Sequence, residues 1–275
     1  MRLDQITPVI LTFNEEPNIA RVLDRLRWGQ DVVVVDSGST DRTVELVRQF
    51  PNVRLFVRPF DSHERQWNYA VNDTGIGTEW VLTFDADYIL SDEGIEELRR
   101  LEPATDVAGF EATFRYCIQG RALRKSLYPP RVVLFRRDKG VFHQDGHTQR
   151  VTVSGPVRPL REPLRLDDRK PIAHWVLSQD RYARLERTKL LATPNEQLAM
   201  PDRLRKRRYI APVLVLLYCL VVKRLWLDGL AGWHYTYQRV LAEILLSLYL
   251  IEDRIAGDTR LLSAGALTPS SQDRE

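Results

Sequence analysis

The chain has 275 residues, 44% of them hydrophobic, and a formal net charge of only +3. That length can bury one substantial core plus an appendage, and the weak net charge excludes the concentrated basic surface of a dedicated nucleic-acid binder, although cations gather in the carboxyl third. Cys117 and Cys219 are too few for a disulfide framework, and with no apolar leader ahead of the first strand the cytoplasm is the expected compartment.

The run Pro8 to Thr12 reads as an apolar strand that breaks into the polar turn Phe13-Asn14-Glu15-Glu16-Pro17, ahead of a helix with apolar positions Ile19, Val22, Leu23 and Leu26. Asp31 to Asp36 follows as a β-branched, almost uninterrupted strand, the pattern of a central parallel strand covered on both faces. It ends in the small polar turn Asp36-Ser37-Gly38-Ser39-Thr40-Asp41, which feeds a helix containing Val44, Leu46 and Val47. A strand over Val53 to Val57, a short helix containing Arg65 to Val71, and a strand from Trp80 to Phe84 complete the series. This alternation predicts an α/β fold, a doubly wound and mostly parallel sheet flanked by helices, whose ligand crevice lies beyond the carboxyl ends of the strands. Thr12, Asp36 and Asp85 fall on that edge.

The last of these strands ends in Asp85-Ala86-Asp87. Two carboxylates one residue apart at a buried strand end need a partner, because an unpaired carboxylate loses much of its hydration energy on burial. Magnesium or manganese, bound by hard oxygens and free to bridge to a diphosphate, meets that need. The plainer reading is a helix cap beside a residue on a solvated loop, and the short motif alone does not separate the two. Neither G-x-G-x-x-G nor G-x-x-x-x-G-K occurs, which disfavours a nicotinamide or P-loop nucleotide site.

Taken in order, these motifs resemble the inverting family-2 glycosyltransferases of the GT-A (Rossmann-like) fold, nearest to the branch that builds bacterial lipopolysaccharide core and exopolysaccharide. The resemblance covers roughly residues 6 to 160. Thr12-Phe13-Asn14-Glu15 is similar to the family's first nucleotide loop, Asp36 to Asp41 with Ser39 to the second, Gln66-Trp67-Asn68 to its Q-x-N helix, and Asp85-Ala86-Asp87 to its metal motif. It implies that the first turn and Asp36 hold uracil and ribose, that Ser39, Gln66, Asn68, Asp85 and Ala86 belong to the nucleotide site, and that Asp85 and Asp87 ligate Mg2+ or Mn2+. It further implies transfer of a sugar from a nucleotide-sugar donor, expected to be a UDP-sugar, to a glycan or a polyprenyl- or other lipid-linked acceptor.

Downstream, Asp92 to Leu101 reads as a helix, Val107 to Tyr116 as a strand carrying Phe110, Phe114 and Tyr116, and Arg131 to Arg137 as another strand. The strand leads into a polar stretch from Gly140 to Val151. An inverting transferase needs a general base near neutral pKa to deprotonate the acceptor hydroxyl; Asp145 is the first candidate here and His147 the second. The family commonly places an acidic residue in this loop, whereas Gln149 stands where a Glu is expected, so the base assignment stays open. In the alternative, His143 and His147 hydrogen-bond the loop and Asp145 accepts from turn amides before Gly146. A third reading makes His147 or His174 a metal ligand, against the preference of magnesium for oxygen. In Asp167-Asp168-Arg169-Lys170, the cations Arg169 and Lys170 either clamp the departing diphosphate or sit on a solvated charged turn ahead of a helix with Trp175, Leu177, Tyr182, Leu185 and Leu190.

Arg203 to Arg208 packs five cations into six residues immediately before fourteen apolar residues, Tyr209 to Val222. A spanning helix needs roughly 20, so an interfacial or re-entrant helix is expected, with Trp226, Trp233 and Tyr235 at the headgroup level and the cations attracting anionic lipid. A second apolar helix is expected over Val240 to Ile251. The alternatives are a hairpin of two short spans, or a buried helical hairpin that covers the sheet or makes a homo-oligomer. The expected organisation is a catalytic domain over 1–200, a helical extension over 201–260 that attaches peripherally or monotopically to the cytoplasmic face of the membrane, and a flexible tail over 261–275. The rival functions are a non-catalytic, membrane-associated nucleotide-sugar-binding scaffold and a nucleotidyltransferase; the latter would show a glycine-rich, basic loop where Thr12 to Glu16 stands.

Overall fold

A computed structural model describes residues 1–145 and 148–265. One unit comprises Met1–His174 and Leu225–His234. Its chain runs β1 (Ile6–Thr12), α1 (Ile19–Asp24), β2 (Val32–Asp36), α2 (Thr43–Val47), β3 (Val53–Val57), α3 (His63–Asn72), β4 (Trp80–Asp85), β5 (Tyr88–Ile89) and α4 (Asp92–Arg100). It continues through β6 (Gly109–Ala112), β7 (Phe114–Ile118), β8 (Arg121–Ala122), β9 (Arg131–Arg136), β10 (Gly140–Asp145), β11 (Thr148–Val153), β12 (Val157–Pro159) and β13 (Leu164–Leu166).

Among the described residues the main sheet has seven strands in the order β12-β6-β9-β4-β1-β2-β3. β4, β1, β2 and β3 are parallel, while β9 runs antiparallel to both β4 and β6. The uninterrupted valines of β2 are explained by two-sided burial. Val32 and Val34 pack with Ile19, Val22 and Leu23 of α1, whereas Val33 and Val35 pack with Trp67, Ala70 and Val71 of α3. Each fully buried Val or Leu of this kind contributes about 1.5–3 kcal/mol relative to exposure. Because β2 and β3 lie on one side of β1 and β4 on the other, the chain reverses direction across the sheet beside β1, and the crevice of such a sheet opens at that point.

Two elements depart from the sequence expectation. The strand expected over Val107 to Tyr116 breaks at Thr113: β6 pairs with β9 in the main sheet, and β7 pairs with β13 in a separate four-stranded sheet. An alternating apolar pattern specifies extended chain but not its partner, and the Thr113 carbonyl accepts from the Leu164 N–H at 3.0 Å as the chain changes sheets. The polar stretch from Gly140 is a hairpin, β10 against β11, rather than an irregular loop.

The second unit comprises Trp175–Arg224 and the chain from Tyr235. The chain from residue 172 runs through α5 (Ile172–Ala192), α6 (Met200–Lys206), α7 (Ile210–Leu217), a π-helical turn (Tyr218–Val222) and α8 (Gly229–Gly265). Ala183, Leu190, Leu198, Leu246 and Leu250 form the core of the second unit. α8 ends at Gly265, and residues 266–275 of the tail expected over 261–275 lie outside the described residues. Among the described residues no single helix is long and apolar enough to cross a membrane; the bent pair Ile210–Val222 and Leu225–Ala256 meets that test jointly by length and composition.

Candidate active site

Strand register brings the predicted residues to one edge. Thr12 is paired with Asp36 on β2, and Leu11 with Asp85 on β4, so both aspartates flank the end of β1. Asp36 is 1% exposed. Its Oδ1 accepts from the hydroxyls of Thr12 (2.9 Å) and Ser39 (2.5 Å), and its Oδ2 from the N–H groups of Gly38 (2.9 Å) and Ser39 (2.8 Å). All of its acceptor capacity is therefore used inside the protein. Gly38 has φ 90°, and an added Cβ would meet nothing within 4 Å, so this turn needs glycine for its backbone conformation rather than for space.

The two loops that leave β1 and β2 are zipped together. Asn14, at φ 54° in the left-handed region that asparagine tolerates, donates its N–H to Ser39 Oγ (2.8 Å) and accepts from the Thr40 N–H (2.8 Å). The Glu15 N–H donates to Thr43 Oγ1 (2.7 Å) and the Glu16 N–H to Asp41 Oδ2 (3.1 Å). Phe13, 46% exposed, stands on this loop. Gln66 is buried beneath it, donating to Ser37 Oγ and the Arg58 carbonyl, each at 3.1 Å, and accepting from the Arg58 guanidinium. Two positions along α3, Asn68 faces the other way. Its amide donates to the Phe142 carbonyl and accepts from the Phe142 N–H, both at 3.0 Å, while Trp67 stacks on the Phe142 ring with centroids 5.1 Å apart. Asn68 thus anchors the β10–β11 hairpin.

Beyond β4 the turn carries buried Ala86 and then Asp87, whose carbonyl accepts from the Asp167 N–H at 3.0 Å. Burial, followed by the charges of Asp85, Glu15 and Asp168, pushes the Asp87 carboxyl well above the usual carboxylate range; Lys170 opposes this. Burial also raises Glu15, again against Lys170. Lys170 and Asp168 were legible only as part of a charged run, because their partners lie more than a hundred positions upstream. Lys170 Nζ sits 2.6 Å from Glu15 Oε1 instead of in solvent, and Asn18 Nδ2 donates to both Glu15 Oε2 (2.9 Å) and Asp168 Oδ1 (2.8 Å). Arg169 instead pairs with Asp167 at 2.8 Å.

Arg131, legible in the sequence only as a strand residue, adds a cation near Asp85. Burial works against its charge, but Tyr128, Tyr88 and Asp85 raise its pKa, and its guanidinium lies 5.3 Å from the centre of the Tyr128 ring. The Tyr88 and Tyr128 hydroxyls are 2.5 Å apart.

Among the described residues no group of three or more His, Cys, Asp or Glu side chains is arranged to hold a metal ion. The donor chemistry nevertheless fits a hard dication, since two carboxylates in an acidic field are the protein share expected when waters and substrate phosphates complete the shell. His174 belongs to α5 and is part of no such group. His143 is exposed on β10, opposite Arg150. Of the candidate bases, His147 and the side chain of Asp145 lie outside the described residues.

Residues 7–151 match the family model described as "Glycosyl transferase family 2". A lipopolysaccharide core biosynthesis glycosyltransferase, LpsC of Rhizobium meliloti, is 25% identical over 251 residues, covering 83% of this chain and 85% of its own length. An uncharacterized glycosyltransferase of Rickettsia typhi, RT0209, is 34% identical over 97 residues, 35% of this chain and 32% of its own. The chain therefore spans about a third of the length of the Rickettsia relatives it matches. The crystal structure of S. aureus TarS 1–349 aligns over 94% of this chain and 92% of that one, with 14% identity and a TM-score of 0.44.

Proposed function

Because the chain belongs to glycosyl transferase family 2, we propose that it is a metal-dependent inverting transferase moving a sugar from a nucleotide-diphosphate donor, a UDP-sugar, to a lipid-linked or cell-envelope glycan. The observation that carries this reading is the shared edge of β1, β2 and β4, where Thr12, Asp36 and Asp85 stand on neighbouring strands and Asp87 follows in the adjoining turn. Uridine is the nucleoside suggested by the resemblance of the loops at Thr12–Glu15 and Asp36–Asp41 to the family's nucleotide loops.

Each residue then has a distinct task. The zipped loops form the floor for the nucleoside, and exposed Phe13 offers a ring face to the base. Asp36, its oxygens occupied by Thr12, Gly38 and Ser39, shapes the loop, and Gln66 supports it from below. Asp85 and Asp87 would hold a Mg2+ or Mn2+ ion, which supplies positive charge to the departing diphosphate. Arg131 and Lys170 are this chain's own cations near that position. Asp145 or His147 would accept the acceptor hydroxyl's proton as its oxygen bonds to the anomeric carbon. The bond from that carbon to the diphosphate oxygen breaks, and its electron pair leaves with the diphosphate.

The lipopolysaccharide-core role named for the Rhizobium relative supports an envelope acceptor. The exposed apolar side chains Val213, Leu217, Val221 and Val222 support peripheral or monotopic attachment at the cytoplasmic face, which would keep the site within reach of an acceptor fixed in lipid. Asp87→Ala is expected to reduce transfer of radiolabelled sugar from UDP-sugar to cell-envelope acceptor by more than about a hundredfold, the scale of removing one electrostatic stabiliser, while the variant stays folded by circular dichroism. Transfer retained in that variant overturns the metal role.

A further inference from the structure

We propose that Lys170 is a resident cation of the donor site that, through its ion pair with Glu15, sets how strongly the Asp85–Asp87 turn holds a divalent ion. The inference rests on the donor-site reading above and deepens it.

The pair is built into the fold. Lys170 Nζ lies 2.6 Å from Glu15 Oε1 and 4.0 Å from Asp168 Oδ2, and the Lys170 and Glu15 side chains are only 14% and 13% exposed. Asn18, fully buried, spans the partners: it donates to Glu15 and Asp168 and accepts from the Arg169 N–H at 2.9 Å. The Lys170 N–H donates to Asp168 Oδ1 at 3.0 Å, and the Asp167 N–H bonds the Asp87 carbonyl at 3.0 Å. The segment 167–170 is thus fastened at one end to the turn bearing Asp87 and at the other to the loop after β1. A flexible lysine on a solvated turn would have none of these constraints.

Position decides what the ammonium does. Asp85, Glu15, Asp168 and Lys170 all bear on Asp87, the carboxylates with one sign and Lys170 with the other. A dication entering beside Asp87 is attracted by the same carboxylates that attract Lys170, so the two cations oppose each other in one low-dielectric field. A diphosphate is attracted by both. Removing the positive charge at 170 therefore strengthens divalent-ion binding and weakens diphosphate binding, whereas removing the negative charge at 15 does the reverse. A structural staple predicts something different, since loss of either partner would loosen the loop and weaken both ligands together.

The test uses the full chain and two binding readouts: Mn2+ affinity from the paramagnetic resonance of the free ion, and UDP affinity by calorimetry at saturating Mn2+. Lys170→Gln keeps a hydrogen-bond donor for Glu15 and is expected to bind Mn2+ on the order of tenfold more tightly and UDP on the order of tenfold more weakly. Glu15→Gln is expected to shift Mn2+ affinity by a similar factor in the opposite direction, and Lys170→Arg to stay near the parent. Should Glu15→Gln fail to fold, Asp168→Asn, whose side chain is 29% exposed, carries the same expected sign. If the parent protein binds neither Mn2+ nor UDP, the donor-site reading falls and takes the inference with it. If the parent binds both but the neutralised lysine and carboxylate variants shift Mn2+ affinity in the same direction, or not at all, the inference alone is overturned.

Discussion

Asp36 illustrates how a residue singled out for chemistry can act through geometry. The family resemblance implies that Asp36 holds uracil or ribose, and in the structure four donors also tie its carboxylate into the turn. An alanine at this position would leave the Gly38 and Ser39 N–H groups and the Thr12 and Ser39 hydroxyls without their acceptor. Asp36→Ala is therefore expected to destabilise the fold by about 1–3 kcal/mol, the cost of leaving a buried polar group unsatisfied, measured by urea denaturation, and to weaken UDP binding in parallel. Unchanged stability with lost UDP binding would instead make Asp36 a direct ligand contact. The partners of Glu15 could not be read in this way. Turn chemistry identifies the loop, but nothing local says that a lysine 155 positions later closes onto it.

Helix α3 shows the same limit for an element. Its amphipathic period and the Ser62 cap, which accepts from the Arg65 N–H, are local and predict a helix. What the period cannot say is that positions 66 and 68 serve different parts of the molecule, Gln66 the loop after β2 and Asn68 the β10–β11 hairpin. Asn68→Ala removes both hydrogen bonds to Phe142 and is expected to increase hydrogen exchange across β10 and β11 while leaving UDP affinity within about twofold, since those bonds are made to β10 and not to the loops after β1 and β2. A large loss of UDP affinity without faster exchange would place Asn68 in the nucleotide site. The division of Val107 to Tyr116 into β6 and β7 has a comparable origin, because period-2 alternation is satisfied by either sheet.

For the whole molecule, the basic run before α7 changes meaning once its partners are known. Arg205 is held by Glu243 at 2.8 Å and Asp202 at 3.1 Å, while Arg203, Lys206 and Arg208 donate to the carbonyls of Leu198, Thr193 and Leu250. Charges engaged within the helical unit have less to offer lipid phosphates, so attachment should depend mainly on exposed apolar side chains such as Val221 and Val222. Full-length protein is expected to co-sediment with anionic vesicles and to lose less than about half of its binding between low and high salt, because screening acts on exposed charge and not on apolar burial. Val221→Glu should release it. Salt-labile binding indifferent to Val221→Glu would return the cations to the leading role. Local spacing in the chain encodes the β-α alternation, the two-sided burial of β2, the polar turns at strand ends, and a pair of aspartates that invites a cation. Which charges meet, which sheet each strand joins and what engages the basic run are settled in three dimensions, because side-chain periodicity is set by neighbours a few residues away, whereas such partners can lie 26 positions off, as Gly109 and Phe135 do, or 155, as Glu15 and Lys170 do.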